Sequence, residues 1–308
     1  MIDLRNIETF VWVAELGGFR AAAEKLNTTQ PAVSQRIASL ESHLGVRLFD
    51  RDARGIRLTA KGAELLSHAE RMLQMRHDML QAARQENVMS GTVRIGVAET
   101  IVQTWLSTLL ERLHAAHPAL ILEIEVDTTH VLRPQLLSRQ IDVAFLMGPI
   151  QEPRVENIAL CRYPLAWVAS PALKLGSRTL SLAEVGQHPI ITYPSNSQPY
   201  QSVRAMLLRA GVRAPRMYGN ASLSMAVRMT RDAIGVSVIA PVFLGEELRS
   251  GELELLQVEQ PEPLEALNFT ATWLQGPDAH VGRAIAQLAQ EVARQAPGST
   301  LSRSGAAL

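Results

Sequence analysis

The sequence predicts an α/β protein with an all-α winged helix-turn-helix at its N-terminus, and three observations predict it. The first sixty residues carry three short helical periodicities followed by a basic hairpin. Residues 59–86 then run without a proline, with a leucine recurring every seventh position of one long helix. From residue 91 onward, β-branched apolar runs alternate with helical stretches, the pattern of parallel strands joined by crossover helices. The 308 residues exceed what one hydrophobic core organises, and an apolar content of 47% fills more than one.

In the opening segment Leu4, Ile7, Phe10, Val11 and Ala14 fall on one helical stripe, so a helix packed on a small core is expected. Gly17 and Gly18 end it, and a short helix over "FRAAAEKL" follows and stops at Asn27. Thr29 can cap a third helix with Pro31 in its first turn, where a missing N–H costs nothing. Within that helix Val33, Ile37, Leu40 and Leu44 recur at i, i+4, i+7 and i+11 and are expected to bury one face. Gln30, Pro31, Ser34, Gln35 and Ala38 lie on another face that is short, polar and uncluttered. Such a face suits a DNA major groove, because Gln and Ser hydrogen-bond base edges while Pro and Ala touch thymine methyls. Taken alone it is equally a solvated helix face. Arg36 is better placed to grip a phosphate.

In the next stretch, "LGVRLFDRDARGIRLTAKG", the apolar Val46, Leu48, Phe49, Ile56 and Leu58 interleave with Arg47, Arg51, Arg54, Arg57 and Lys61, and Gly55 marks a turn. This is a hairpin with a cationic tip. From Thr28 to Lys61 six basic residues stand against Glu41, Asp50 and Asp52, although the whole chain has a formal net charge of zero and only 19% charged residues. There is no global basic field, so any DNA surface is local. Phosphate contacts from Arg51, Arg54 and Arg57 would supply affinity and orientation. Sequence choice is left to the helix, through Thr29, Gln30, Pro31, Ser34 and Gln35.

Several landmarks coincide over this region: the alanine pair Ala22 and Ala23, "QPAVS" from Gln30 to Ser34, Leu40 and Glu41 before Leu44 and Gly45, the Leu-Phe-x-Arg-x-x-Arg run from Leu48 to Arg54, and Leu-Thr-x-x-Gly from Leu58 to Gly62. Together they resemble the signature of LysR-type transcriptional regulators. Gly18 and Arg20 depart from it, standing where that family usually carries Ser or Thr. The second helix is therefore expected to be weakly capped, and Arg20 to be able to add a phosphate contact. The resemblance implies a regulator that binds promoter DNA over an interrupted dyad and is controlled by a small-molecule effector. It also implies self-association into dimers and further into tetramers, with RNA polymerase as a candidate partner. The effector domain it implies has two lobes, similar to periplasmic binding proteins, with a cleft between them and two crossing strands as hinge.

In the long helix, Leu66, Leu73 and Leu80 lie seven residues apart, flanked by Leu65, Ala69, Met72, Met79 and Ala83. A seven-residue apolar repeat is what packing between subunits requires, so this seam predicts a dimer. The alternative is an ordinary core helix of the second domain, since the pattern spans only three heptads and Arg76 lies near the seam. The expected domains are a winged helix-turn-helix over 1–60, a linker and dimerisation helix over 61–90, and an effector domain over 91–296. Lobe I of that domain comprises 91–163 and 267–296, and lobe II comprises 164–266. Residues 297–308 read as a flexible tail.

The strand set "TVRIGVA", "LILEIEV" and "DVAFLM" is followed by a second, "PLAWVAS", "PIITY" and "GVSVIA", with "LNFTATWL" and a helix after Ala279 returning to the first lobe. In open α/β sheets, ligands lie beyond the carboxyl ends of strands, near helix N-termini. That geometry selects Glu99, Thr100 and Ile101, then Thr128 and Thr129, Met147, and Ser195, Asn196 and Ser197 as candidate effector contacts. Each hydroxyl also reads as a helix cap or turn residue without a ligand. Glu99 would repel a carboxylate unless a cation is near, and Arg231, Asp232 and Ala233 replace the small Ala-Ala-Gly run usual in the family, so no relative's effector is transferred.

There is no G-x-S-x-G elbow, Walker loop, G-x-G-x-x-G or H-E-x-x-H. No catalytic residue, metal site or cofactor other than the effector is therefore expected. Of the scattered histidines only His114 and His117 are helix-spaced, and at a helix end they read as capping or solvated. The single cysteine, Cys161, reads as a packed residue in a reducing compartment. The opening "MIDLRNIETFVWVAEL" has no uninterrupted apolar region and no stretch reaches membrane-spanning length, so a soluble cytoplasmic protein without a membrane partner is expected.

Overall fold

The structure, a computed structural model, describes residues 3–52, 55–83, 89–276 and 279–298, apart from the side chains of residues 51, 52, 55, 74, 77, 78 and 80–83. The chain forms two compact units, Met1–Asn87 with Gln275–Val281, and Val88–Leu274 with Gly282–Leu308.

The first unit comprises α1 (Leu4–Leu16), α2 (Phe19–Lys25), α3 (Gln30–Leu44), an antiparallel hairpin of β1 (Phe49–Asp52) and β2 (Gly55–Leu58), and α4 (Ala60–Ala83). The Asp3 side chain caps α1 by accepting the Arg5 N–H at 2.9 Å, and Gly17 ends the helix at φ +64°, where a Cβ is disfavoured. Ile7, Phe10, Val11, Trp12 and Val13 of α1 are buried, whereas Leu4, expected on the same stripe, lies in the first turn and stays exposed. Val33, Ile37 and Leu40 of α3 are buried and Leu44 partly so. Phe49 of the hairpin stands edge-on to Phe10 at 5.5 Å and to Phe19 at 6.1 Å, joining the wing to the helical core.

Two further contacts hold the wing. The Glu41 carboxylate accepts the N–H groups of Leu48 at 2.7 Å and Phe49 at 3.3 Å. Thr59 donates to the Arg47 carbonyl at 2.8 Å while accepting the Gly62 N–H at 2.8 Å. Its side chain thus caps α4 and ties that helix to the chain entering β1.

The long helix corrects the expected seam. Leu66, Ala69 and Leu73 are buried in the same core as α1 and α3, not held in reserve for a partner, and Arg76 lies 3.9 Å from Glu8 of α1. What α4 exposes is a methionine ridge, with Met72, Met75 and Met79 at 48%, 70% and 71% of full exposure. The Leu80 side chain lies outside the described residues.

The second unit begins with β3 (Gly91–Val97), α5 (Glu99–Val102), α6 (Leu106–Ala116), β4 (Leu120–Val126), α7 (Thr129–Leu137), β5 (Val143–Met147) and β6 (Val155–Tyr163). It continues through β7 (Ala166–Ala169), β8 (Leu180–Ser181), α8 (Leu182–Val185), β9 (Ile190–Thr192), α9 (Gln198–Arg209), β10 (Met217–Gly219), α10 (Leu223–Arg231) and β11 (Val236–Ile239). It closes with α11 (Gly245–Ser250), β12 (Glu254–Leu255), β13 (Val258–Glu259), β14 (Leu267–Leu274) and α12 (Ala279–Gln295). Two five-stranded sheets result, ordered β4-β3-β5-β14-β6 and β10-β9-β11-β7-β12. Each is parallel where crossover helices join its strands and antiparallel where the chain passes between lobes: β14 runs against β5 and β6, and β7 against β11 and β12. Strand β6, which the sequence reading omits, hides its signal because Glu156, Asn157 and Arg162 interrupt the apolar pattern. Glu156 is met by Arg283 at 3.2 Å, and the Ala159 carbonyl by the Gln290 side chain at 2.8 Å, both from α12.

Cys161 on β6 is 2% exposed, and burial pushes its thiol up to about 11. The thiolate is the reactive form, so at neutral pH its population falls about a hundredfold below that of an ordinary cysteine. Native protein is expected to react with iodoacetamide at least that much more slowly than protein in 6 M guanidinium corrected for pH, roughly two orders of magnitude. Equal rates would mean that the thiol is reached from solvent.

Candidate functional site

Two surfaces carry chemistry, one in each unit. On α3, Gln30, Pro31, Gln35 and Ala38 are exposed and Ser34 is half-buried, forming a face clear of large side chains. Thr29 holds the start of the helix, its hydroxyl accepting the Ala32 N–H at 3.4 Å. Arg36 is half-buried and turns toward α1, donating to the Thr9 hydroxyl at 3.5 Å, so its expected outward reach to a phosphate is not what the structure displays. Arg20 is bound to Glu24 at 3.2 Å across one helical turn. In the wing, Arg57 is exposed and its residue pairs with Asp50, while the backbone of Arg51 pairs with Ile56. Arg54 and the Arg51 side chain lie outside the described residues.

In the second unit a cavity of about 800 Å³ lies between the two sheets' lobes. It is lined at the carboxyl ends of β3, β4, β5 and β9 by Glu99, Thr100, Thr128, Thr129, Met147, Asn196 and Ser197. Ile101 does not reach it, because α5 turns this side chain fully into the core, and Ser195 faces solvent outside the lining. Two of the lining hydroxyls have structural employment: Thr129 accepts the Met147 N–H at 3.0 Å, and Ser197 caps α9 through the Tyr200 N–H at 3.4 Å. Thr128, the N-cap of α7, makes no such side-chain bond.

Sequence reasoning missed Asp127 and Tyr193, each within one residue of a strand end it had used, and Ser222 and Leu223 at the start of α10. It also missed Leu267 and Phe269, which no strand-end rule can find because they lie at the beginning of the returning strand β14. Glu99 makes the most telling contact. Its Oε1 accepts the Leu223 N–H at 3.0 Å, so a carboxylate from one lobe caps a helix of the other. Burial, with a smaller contribution from the Glu99 charge, raises the Tyr193 hydroxyl far above the ordinary tyrosine value, which keeps it a neutral donor in the cavity wall. His117, whose affinity for protons is lowered by burial, accepts the Met89 N–H on Nδ1 at 3.1 Å.

A family model described as the bacterial regulatory helix-turn-helix protein, lysR family, matches residues 4–63, and one described as the LysR substrate binding domain matches residues 86–295. The chain belongs to the LysR family. It is 30% identical to the SDS degradation transcriptional activation protein of a Pseudomonas species over 264 residues, 84% of this chain and 85% of that one. It is 28% identical to the HTH-type transcriptional regulator YofA of Bacillus velezensis over 234 residues, 76% of this chain and 79% of the relative. A full-length OxyR variant from Pseudomonas aeruginosa shares the fold with a TM-score of 0.60 at 22% identity, covering 99% of both chains. As a LysR-type transcriptional regulator, and not an enzyme, the chain binds DNA through its helix-turn-helix and takes a small-molecule effector in its two-lobed domain. Among the described residues no helix is long and apolar enough to cross a membrane.

Proposed function

We propose that this LysR regulator reads bases with Gln30, Pro31, Ser34 and Gln35, held at the helix start by Thr29, and grips phosphates with Arg57 together with Arg51 and Arg54 of the wing. The domains divide as the sequence suggests, near residues 60 and 90, and within the second near 163 and 267. The effector sits in the interlobe cavity against Glu99, Thr100, Thr128, Met147 and Asn196. Subunits associate along the α4 methionine ridge, two recognition helices enter successive major grooves of an interrupted dyad, and closure of the cavity on effector changes their spacing or the DNA bend. The DNA target gives the regulator a cytoplasmic location. One observation carries the reading: the Glu99 carboxylate spans the two lobes inside the cavity, so any ligand there acts on the interlobe contact itself.

The testing experiment is a footprint on DNA upstream of the regulator's own gene, at two salt concentrations, with and without a metabolite library. Protection of an interrupted dyad that shortens or shifts with one compound is expected; no protection at low salt would sink the reading. In the same assay Gln35→Ala is expected to relax base preference at one position by about 1–3 kcal/mol. Arg57→Ala should weaken binding to all sequences alike and lower the salt slope by about one. The reverse pattern would mean that helix and wing have exchanged roles.

A further inference from the structure

We propose that the effector is an organic cation, an apolar primary amine whose ammonium group is held by Glu99 and Asp127 while its body lies on the apolar wall of the cavity. This rests on the effector reading above and adds the ligand's chemical class. Besides tyrosine, the cavity wall carries four ionisable side chains, Glu99, Asp127, His130 and Arg133. Arg133 is already paired with Glu152. Neither carboxylate has a cationic partner among the described residues: Glu99 accepts the Leu223 N–H at 3.0 Å and Asp127 the Thr128 N–H at 2.6 Å. A carboxylate ligand would meet two uncompensated negative charges in a partly desolvated space, where repulsion is stronger than in water. An ammonium would be attracted there, and its three donors match the lone pairs the two carboxylates still have to offer.

Of the helix N-termini at the wall, which would favour an anion, that of the nine-residue α10 is already filled by Glu99 itself, that of α9 is capped by Ser197, and that of α7 stands beside the Asp127 carboxylate, which accepts the Thr128 N–H. The rest of the wall is largely apolar, with Val126, Leu137, Met147, Leu267 and Phe269 offering a surface for a hydrocarbon or aromatic body. Because Glu99 follows β3 in one lobe and Leu223 opens α10 in the other, an amine sharing the Glu99 carboxylate acts on the lobe-to-lobe bond directly.

The test is calorimetric titration of the full chain with pairs of probes differing in the head group, 2-phenylethylamine against phenylacetate and hexylamine against hexanoate. The amines are expected to bind and the acids not. Glu99→Gln keeps an acceptor for the Leu223 N–H but removes the charge, and is expected to weaken amine binding roughly ten- to a hundredfold. Asp127→Asn, more exposed, should cost less, and unchanged melting curves verify that both variants fold. Preferential binding of the acids, binding of neither series, or an undiminished affinity in Glu99→Gln overturns the proposal. Footprints run on the same samples separate the two readings. Salt-dependent DNA protection without amine binding removes the amine class and leaves the regulator standing, whereas loss of that protection removes the regulator reading.

Discussion

Gly62→Ala is expected to lower the stability of the N-terminal unit by about 2–3 kcal/mol, although alanine is the better helix former by about 1 kcal/mol. Gly62 lies in the first turn of α4, and a Cβ there would stand 2.1 Å from the Leu48 carbonyl oxygen and 3.1 Å from the Leu58 side chain. The obstructing atom is backbone at the entry to the wing and cannot rotate away, so relief requires the hairpin and the helix to part. That separation would break the Thr59 bridge to the Arg47 carbonyl and loosen the contacts of Glu41 with Leu48 and Phe49. For a unit of this size the loss corresponds to a fall of roughly 10 °C or more in its unfolding midpoint. DNA affinity should fall with it while ligand binding in the second unit persists. Thermal unfolding followed by circular dichroism checks the first part, and a midpoint at or above that of the parent would show that α4 carries a Cβ here without displacing the wing.

The second large effect separates the two faces of α4. Leu73→Ala removes a side chain that is 2% exposed in the core shared with α1 and α3, and is expected to cost about 2–5 kcal/mol. The double variant Met75→Ala, Met79→Ala removes side chains that are 70% and 71% exposed, and within a single subunit should change stability by less than about 0.5 kcal/mol. If the ridge mediates association, its effect appears as a weaker dimer whose melting temperature depends on concentration, because stabilisation by a partner follows mass action. Sedimentation at several concentrations combined with urea unfolding distinguishes the two cases. A Leu73→Ala variant that keeps its urea midpoint but dissociates would restore the leucine seam and discard the methionine one.

Such a reversal of faces marks where periodicity stops being informative. Leu66, Ala69 and Leu73 satisfy a heptad equally well whether the surface they meet belongs to another subunit or to α1, since the pattern records only that one face of a helix is covered. Arg36 is a parallel case. Its place in the sequence of α3 suggests an outward cation, and only the approach of Thr9 on a neighbouring helix turns it sideways. Strand β4 differs again: "LILEIEV" reads as a strand, but its position at the edge of the sheet leaves Ile121 60% exposed, a matter of which strands stand beside it.

What the sequence determined by itself is local. The caps at Asp3 and Thr29, the turn at Gly17, the order of helices in the N-terminal unit, the hairpin with its basic residues and the alternation of strand and helix after residue 91 all follow from bonds made within a few residues, and such bonds are written in neighbouring side chains. The strand-end rule reached Glu99, Thr128 and Met147 for the same reason, because the carboxyl end of a strand in an α/β sheet is a local feature with a general geometric meaning. Tertiary structure alone decided the rest. It placed Leu267 and Phe269 of the returning strand in the cavity, closed the Glu99 bond to a helix 124 residues away, and chose which face of α4 is buried. Each of these depends on two surfaces meeting across a long loop of chain, and one strand or helix carries no record of the partner that will cover it.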